Sequence, residues 1–426
     1  MFFEKINFII KKIIKSIHNN DILFFLISIP IKFLDILFFR QKNEILFYGY
    51  MGRCSGNAFS LYKYYLTQKN YLKPVWLLDD KDISLFEKNN ECFPLPNKKS
   101  GIIPHLKLLF KIAQAKAVVV SSFGDLHIYC SILYSKKRKE ILLPHGTTLK
   151  SAGVLSKHLS FKQKKVWSSQ SKRFDLISVS SRVEQYWTSA SLNLHPNKIK
   201  ILGNCRIDKS ETNLIDNQKN KKNFLNELNF DISNVKSEKF TIALYAPTHR
   251  DHDNHINASS INKMKNYNPI LLNSFLKRKK IILLVREHSL FNYENIFQKD
   301  SNEKNIINFS SKLYPNIERY FDLIDILVTD YSGIYLEYLN TTKSLVFAHF
   351  DLDEYESKRG LILPKEIIFP GYSFKSQDSF IKYLDNRFDM DKKYNDNRKF
   401  LDNLLNEVSP LGACKRTMLA IDKLIN

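Results

Sequence analysis

The chain has 426 residues, of which 44% are hydrophobic, so it is too long for one ordinary core and too apolar for a disordered protein. Its 65 Lys and Arg exceed its 43 Asp and Glu and give a net charge of +22. This excess excludes an acidic protein and predicts an anionic partner, such as a phospholipid surface, a phosphate-rich polymer or a nucleic acid.

The first forty residues combine helical apolar spacing with basic charge. In residues 1–18, isoleucines and phenylalanines recur at helical spacing and lysines form a basic face, a pattern typical of a helix lying in an anionic membrane surface. Residues 22–39 are more apolar, but Lys32 and Asp35 interrupt them, so we predict no membrane span. We predict that residues 1–43 form an amphipathic membrane-associating segment; the alternative is a pair of helices packed on the first domain.

Residues 44–211 alternate short apolar runs with helical patterns, which predicts a first domain with a doubly wound parallel sheet. The predicted strands are 44–48, 74–78, 117–121, 141–143, 176–180 and 199–202. Loop 49–57, with Gly52 and Asn57, could cradle a phosphate but lacks the GxGxxG spacing. Ser122 follows the third predicted strand and is a candidate for the opposite wall of a crevice.

The segment 141–150 carries the richest set of polar groups in this domain. Proline ends its apolar run at Pro144, and His145 comes next, where ligands bind in open α/β sheets. Gly146 allows the backbone to approach a ligand, and we expect Thr147 and Thr148 to cap a following helix and bind an anion. The alternative is a turn and a capped helix with a structural histidine.

Residues 212–239 are predicted to be a linker with an exposed helix, and residues 240–405 form a second alternating domain. Its predicted strands are 240–245, 281–285, 324–329 and 344–347, and the first three run into polar segments at 248–250, 286–288 and 330–333. Ser332 and Gly333 precede a predicted helix whose N-terminus offers free N–H groups to an anion; a simple Ser N-cap is the alternative. Arg359 ends an acidic run that is either a solvated surface or a phosphate contact.

Taken in order, these motifs resemble the CDP-glycerol glycerophosphotransferases of teichoic acid and capsule synthesis. The matching segments are residues 47–66, 144–150 (family form HGTPLK), 203–208 (GxPRxD), 245–250 (YAPTWR), 286–288 (RxH), 329–333 (TDYSS) and 351–360. The chain departs from the family pattern at Thr148, Cys205, His249 and Gly333, where Pro, Pro, Trp and Ser are usual.

The resemblance implies an α/β fold of the glycosyltransferase-B (GT-B) type, in which two Rossmann-like domains face a central cleft. It implies that 44–211 is the acceptor-side domain, that 240–405 binds the CDP-polyol donor, and that a final helix in 406–426 packs back on the first domain. It also implies a peripheral or monotopic protein at the cytoplasmic face of the membrane. No required cofactor is expected, and no metal, because no Asp, Glu and His cluster has metal-ligand spacing and the five cysteines lack a CxxC pair.

The implied reaction transfers a polyol phosphate, most simply glycerol phosphate, from a CDP-linked donor to a hydroxyl of an anionic polyol-phosphate or lipid-linked glycan acceptor, with release of CMP. We predict His145 as the general base and His288 as the second catalytic histidine. The predicted donor and phosphate contacts are Thr147, Lys150, Arg250, Arg286, Asp330, Ser332, Gly333, Arg359 and Gly360. The predicted acceptor-side loop residues are Gly52, Asn57 and Ser122.

Two other functions are kept as alternatives. A GT-B nucleotide-sugar glycosyltransferase of cell-surface polysaccharide synthesis would share the fold and differ in the transferred group. A non-catalytic nucleic-acid-binding protein would explain the charge, but the chain shows neither a known module nor a basic stripe interleaved with aromatic residues. We therefore predict no nucleic-acid partner.

Overall fold

The structure is a computed structural model that describes residues 29, 42–79, 91–97, 100–133, 137–147, 150–208, 217–228, 230, 240–248, 261–286, 305–311, 313–314 and 316–426. The predicted amphipathic segment 1–43 lies almost entirely outside the described residues. The predicted linker is described only over 217–228 and at 230.

Seven parallel strands form the first sheet, in the order β3-β2-β1-β4-β5-β6-β7. They are β1 (Lys42–Tyr48), β2 (Lys73–Leu78), β3 (Cys92–Pro94), β4 (Ala115–Val120), β5 (Lys139–Leu142), β6 (Leu176–Val179) and β7 (Ile199–Ile201). The helices of this part are α1 (Gly56–Thr67), α2 (Ile102–Gln114), α3 (His127–Ile132), α4 (Phe161–Ser171) and α5 (Arg182–Leu192). Successive residues of β1 enter different cores, Ile45 and Phe47 one and Leu46 the other, so both faces of the sheet are covered.

Six parallel strands form the second sheet, in the order β10-β9-β8-β11-β12-β13. They are β8 (Thr241–Tyr245), β9 (Ile281–Val285), β10 (Ile306–Asn308), β11 (Ile326–Thr329), β12 (Ser344–Ala348) and β13 (Tyr372–Phe374). The helices are α6 (Asn217–Glu227), α7 (Pro269–Arg278), α8 (Ile334–Tyr338), α9 (Leu352–Arg359), α10 (Lys365–Ile368), α11 (Gln377–Asp385), α12 (Arg387–Lys392), α13 (Asn395–Leu405) and α14 (Ala413–Ile425). Leu327 and Val328 enter opposite cores, so this sheet is also buried on both faces.

Each sheet reverses its strand order between two central neighbours, β1 and β4 in the first sheet and β8 and β11 in the second. The loops that leave such a pair diverge and open a crevice at the carboxyl edge of the sheet. In the first sheet these loops begin at Gly49 and Ser121, and in the second at Ala246 and Asp330. The polar segments singled out in the sequence therefore leave the strands where ligand crevices form.

Two local predictions were wrong. The first described helix after Thr147 is a short 3-10 turn at Gly153–Leu155, so Thr147 does not cap the α-helix expected there. The helix of the predicted linker is not merely exposed, because Phe224 and Leu225 of α6 are 2% and 3% exposed and join the core of the second sheet.

The last helix of the chain, α14, returns to the first sheet. Its backbone N–H at Cys414, and that of the preceding Gly412, donate to the carboxylate of Asp208 over 2.8 and 3.0 Å. Its side chains Cys414 and Ile421 are buried in the core that also holds α1. The Asp208 carboxylate satisfies N–H groups at the start of α14, which fixes the point where the chain crosses back.

No helix within the described part of the chain is long and apolar enough to cross a membrane.

Candidate active site

His145 follows β5 by three residues and lies at the carboxyl edge of the first sheet. Its ring stacks on Tyr50, with 4.5 Å between the ring centroids and 25° between the planes. It also forms a hydrogen bond to the backbone of Ser121. The side chain is exposed, so the ring lies against the crevice wall but stays accessible to a ligand.

The surroundings of His145 favour its neutral form. Burial among the protein atoms around the crevice is the main cause that lowers its pKa to about 4, and the positive charges of Arg206 and Lys150 act in the same direction. The hydrogen bond to Ser121 opposes them. At neutral pH the imidazole is therefore unprotonated and can accept a proton from a hydroxyl group.

We expect the pH dependence of catalysis to report this pKa. If the neutral ring of His145 is the base, kcat/KM should stay level from pH 7 to pH 5 and fall only as the pH approaches about 4. The measurement is a pH profile of kcat/KM in buffers of constant ionic strength. A fall centred near pH 6.5, the ordinary range of histidine, would contradict the lowered pKa, whereas the absence of any acid limb down to pH 4 would contradict the assignment of His145 as the base.

Asn57 is 3% exposed, and its side-chain amide forms hydrogen bonds within the protein. Its Nδ2 donates to the carbonyl of Pro144 over 2.6 Å, and its Oδ1 accepts from the backbone N–H of Arg206 over 2.9 Å. The predicted acceptor contact of Asn57 is therefore replaced by a positioning role: it ties together the residue before His145 and the backbone of Arg206.

The other two predicted acceptor-side residues lie in the loops at the first switch point. Gly52 is buried, with φ of +81°, and a Cβ there would lie 3.1 Å from the Cβ of Asp79, so the loop folds tightly against the end of β2. Ser122 is half-buried in the loop after β4, where its carbonyl accepts from the N–H of Asp125 over 3.1 Å. Both residues shape the wall beside His145.

The loop after His145 meets the second domain. The backbone of Lys150 forms an antiparallel bridge with Leu361, and the N–H of Ser151 donates to the carbonyl of Gly360 over 3.2 Å. Gly360 has φ of +70°, and a Cβ there would lie 3.2 Å from Oγ of Ser151. The structure thus brings the predicted residues Lys150 and Gly360 together across the two domains.

Arg206, which follows β7, reaches Glu337 in α8 of the second domain. Its Nε lies 3.0 and 2.8 Å from the two carboxylate oxygens, and its Nη2 bonds to Oε1 as well. The side chain of Glu337 is 1% exposed and that of Arg206 17%. A bidentate, buried ion pair of this kind fixes both distance and orientation between the elements that carry it.

Asp330 follows β11 and is 2% exposed. Its Oδ1 accepts from the backbone N–H groups of Thr248 and Tyr331, both over 2.6 Å. The Asp330 carboxylate therefore has a positioning role, because it holds the loop after β8 against the loop after β11; its phosphate contact stays a prediction from the sequence. A carboxylate would also repel a diphosphate.

The remaining predicted phosphate contacts in the second domain differ in the hydrogen bonds that their side chains form within the protein. Arg286 donates through Nη1 to the carbonyl of Tyr314 over 2.6 Å. Ser332 is half-buried, and its Oγ accepts weakly from the N–H of Ile334 over 3.5 Å. Arg359, at the end of α9, is half-buried and forms no ion pair or hydrogen bond with any residue that the structure describes.

Three further predicted residues, Arg250, His288 and Thr148, lie outside the described residues. Their assignments stay predictions from the sequence.

Sequence reasoning missed the importance of Arg206 and Glu337. Arg206 lies in the segment 203–208, which was matched to the family form GxPRxD without a role for its arginine. Glu337 carries no sequence signal, because a lone glutamate three residues into a short helix is common on any surface. Its burial at 1% becomes visible only when the two domains are placed together.

No group of three or more His, Cys, Asp or Glu side chains suited to a metal ion occurs within the described ranges.

Two parallel sheets with switch-point crevices, joined at their carboxyl edges, define a transferase fold of the GT-B type. Solved structures of similar fold include the wall teichoic acid polymerase TagF, with a TM-score of 0.74 at 19% identity, covering 98% of this chain and 95% of that chain. MnaA of S. aureus, solved with UDP, gives a TM-score of 0.55 at 13% identity and covers 90% and 96%. These identities establish the shared fold.

The family follows from the sequence comparison. The model of the family described as CDP-Glycerol:Poly(glycerophosphate) glycerophosphotransferase matches residues 31–421, so the chain belongs to this family and is a transferase. This membership favours phosphotransfer over the sugar transfer that the fold alone left open.

Two curated relatives are similar over different lengths. The teichoic acid glycerol-phosphate transferase of Staphylococcus aureus (strain NCTC 8325 / PS 47) is 27% identical over 356 residues, which cover 81% of this chain and 84% of that protein. The teichoic acid glycerol-phosphate primase of Bacillus subtilis (strain 168) is 31% identical over 196 residues, or 42% of this chain. The match spans 46%, about half, of the length of that primase.

Proposed function

We propose that this protein transfers glycerol phosphate from CDP-glycerol to a hydroxyl of an anionic polyol-phosphate or lipid-linked acceptor at the cytoplasmic face of the membrane. The observation that carries the proposal is the neutral, accessible imidazole of His145 at the carboxyl edge of one sheet, beside residues of the other sheet. Membership in the glycerophosphotransferase family supports the donor, and the charge of the first domain supports the acceptor.

The proposed step is a displacement at phosphorus. The acceptor hydroxyl attacks the phosphorus next to glycerol, and its proton passes to the free ring nitrogen of His145. The new O–P bond forms as the bond to the bridging oxygen breaks, and that oxygen leaves as part of CMP. Such transfers depend mainly on positioning and on stabilising negative charge.

The donor would lie against the second domain. Arg359 supports this arrangement, because it is half-buried, directly precedes Gly360, where the two domains meet, and its side chain pairs with no described residue. Planar guanidinium groups suit bidentate contact with phosphate oxygens. Arg286 and Ser332 would complete the phosphate contacts, with Lys150 approaching from the first domain.

The acceptor would lie against the first domain, which carries most of the net charge. Residues 44–211 contain 27 Lys and Arg against 12 Asp and Glu, whereas residues 240–405 contain 23 against 22. No Asp or Glu occurs between Glu140 and Asp175. We call this interval, residues 141–174, the basic segment. A Cβ built on Gly360 would lie 3.6 Å from Cε of Lys157, so the segment passes close to the contact between the two domains. Such a field attracts a polyanion.

We expect the lysines of this basic segment to affect KM for the acceptor and not KM for the donor. Replacing its exposed lysines together, Lys162→Gln, Lys165→Gln and Lys172→Gln, should raise KM for a polyol-phosphate acceptor roughly 3- to 10-fold because part of the attracting field is lost. The rise in KM with salt should also become shallower. KM for CDP-glycerol should not change.

The matched control removes three exposed lysines from the second domain, as Lys392→Gln, Lys393→Gln and Lys399→Gln. If both triple variants raised the acceptor KM equally, the effect would come from net charge alone and the acceptor would not be assigned to the first domain.

The membrane assignment rests on residues 1–43, whose basic amphipathic pattern supports surface binding. Removing residues 1–40 should shift the protein from vesicles containing anionic lipid to the supernatant in a sedimentation assay. Unchanged sedimentation would contradict the assignment.

The test of the proposed function is CMP release from a panel of CDP-linked donors. Purified protein is incubated with a polyol-phosphate acceptor and CDP-glycerol, CDP-ribitol or UDP-glucose, with and without EDTA, and the product is analysed for phosphorus. We expect CMP release and a phosphorus-containing product with CDP-glycerol, unaffected by EDTA. Transfer of a sugar without phosphorus would overturn the proposal.

A further inference from the structure

In addition to the Lys150–Leu361 bridge, two contacts join the two domains next to His145, and these two form what we call the interdomain clasp: the Arg206–Glu337 ion pair and the contact of Thr147 with Gly333. The ion pair is bidentate and buried. The second contact is backbone against backbone: a Cβ on Gly333 would lie 2.6 Å from the carbonyl oxygen of Thr147. The contact at Gly333 therefore leaves no room for an additional methyl group.

Gly146, next to His145, also packs closely against the clasp. A Cβ on Gly146 would lie 3.0 Å from Nη2 of Arg206 and 3.6 Å from Oε1 of Glu337. The backbone next to His145 therefore lies directly against the ion pair. A change in the separation of the domains would therefore reach the backbone next to His145 through the side chains of Arg206 and Glu337.

The clasp is connected to both halves of the site. On the first domain, the backbone N–H of Arg206 is held by Asn57, which also holds the carbonyl of Pro144 before His145. On the second domain, the buried carboxylate of Glu318 interacts electrostatically with Arg206 and also with Arg286. The charges of Arg206 and Glu318 thus connect the surroundings of His145, the predicted base, with Arg286, a predicted phosphate contact.

We propose that Arg206 and Glu337 are positioning residues, which hold the two domains at the separation where His145 can reach an acceptor hydroxyl next to a donor bound on the second domain. The activity readouts of this inference rest on the proposed function, whereas the domain separation can be measured without substrates.

The first test breaks the ion pair from either side, with Arg206→Gln and with Glu337→Gln. A displacement of about 1 Å at the reacting atoms costs on the order of 100-fold, so we expect kcat to fall by about that factor in both variants. Binding of CDP-glycerol, measured by calorimetry, should be largely retained because three of the proposed donor contacts, Arg286, Ser332 and Arg359, lie on the second domain.

A pH profile separates positioning from a general loss of structure. Arg206 lowers the pKa of His145, so Arg206→Gln should move the acid limb of kcat/KM to higher pH. Lys150, which also lowers that pKa, remains in place, as does the stacked Tyr50. Glu337→Gln keeps the arginine charge and should leave the acid limb nearer its original position.

The second test enlarges Gly333, which has φ of −63° and ψ of −8°, a conformation open to any residue. Gly333→Ala therefore adds no backbone strain within the second domain, and its methyl group meets only the carbonyl of Thr147 closely. We expect kcat to fall, with unfolding temperature unchanged, because the methyl group forces the domains apart.

Domain separation is read from spin labels at exposed positions, introduced as Tyr186→Cys on the first domain and Lys392→Cys on the second, with the exposed Cys92→Ser. The interspin distance should be narrow in the parent protein and longer or broader in the Arg206→Gln, Glu337→Gln and Gly333→Ala variants. This measurement needs no activity, so failure of the clasp and failure of the proposed function give different results.

The matched control is Arg182→Gln, which breaks an ion pair with Glu407 that is also distant in sequence, but with the arginine side chain 75% exposed. Exposed pairs contribute little, so distance and kcat should not change. If Arg206→Gln fails to fold, Arg206→Lys keeps the charge but loses the bidentate geometry and tests the same point. Parent-like distances with parent-like kcat in the clasp variants would overturn the inference.

Discussion

Replacing His145 with alanine should reduce kcat on the order of 10³-fold while CDP-glycerol still binds with nearly its original affinity. The reason is chemical: the neutral ring is the group placed to take the proton of the acceptor hydroxyl, and its pKa of about 4 keeps it neutral at working pH. Because the ring is exposed, its removal leaves no large cavity in the core. Stability should therefore change little, and the lost activity can be assigned to chemistry.

The measurement is steady-state CMP release together with calorimetric donor binding. His195→Ala is the matched control, since His195 is an exposed histidine of the same domain that precedes β7, at the opposite edge of the sheet. Turnover of His145→Ala within about tenfold of the parent would remove the residue from the role of base.

The second large effect is on stability. Asp330→Ala leaves the backbone N–H groups of Thr248 and Tyr331 without their acceptor, and each unsatisfied buried donor costs about 1–3 kcal/mol. We therefore expect the free energy of unfolding to fall by about 2–4 kcal/mol in urea denaturation followed by far-UV circular dichroism, which reports on both domains. Donor binding should weaken as well, because the loop after β8 loses its attachment.

Asp330→Asn is the diagnostic companion, because an amide oxygen can still accept both N–H bonds, so its loss should be much smaller than that of the alanine variant. Asp389→Ala serves as the control for removing a carboxylate, since Asp389 is 85% exposed and pairs with an exposed lysine. Equal stability of Asp330→Ala and the parent protein would mean that these two hydrogen bonds contribute nothing.

The central strands could be predicted because their apolar runs are long enough to stand out. The predicted strand 281–285 coincides with β9, and 344–347 lies within β12. Three of the four three-residue strands, β3, β10 and β13, were missed, whereas β7 was predicted; three residues carry no measurable periodicity, so such short strands are found only when the neighbouring sequence marks them. They form because they extend an existing sheet edge, which is a tertiary condition.

The candidate site was predicted in part for the same reason. The position of His145 at a strand end could be inferred, since proline and glycine mark where the strand stops. The helix expected after Thr147 was wrong, because threonines that cap helices also suit irregular loops, and here Lys150 pairs with Leu361 instead. The positioning roles of Asn57 and Asp330 were not predicted, because a polar residue near a strand end can hold the backbone or face a ligand, and the sequence does not distinguish the two.

The sequence by itself determined the two parallel sheets, the identity of the polar residues at their carboxyl edges and the family to which the chain belongs. Strand formation and turn placement depend on neighbouring residues, so they can be read along the chain. Only the tertiary structure decided that Arg206 meets Glu337 and that Gly333 lies against Thr147. These pairs are more than 130 residues apart, and no local pattern records a contact that forms only when two finished domains come together.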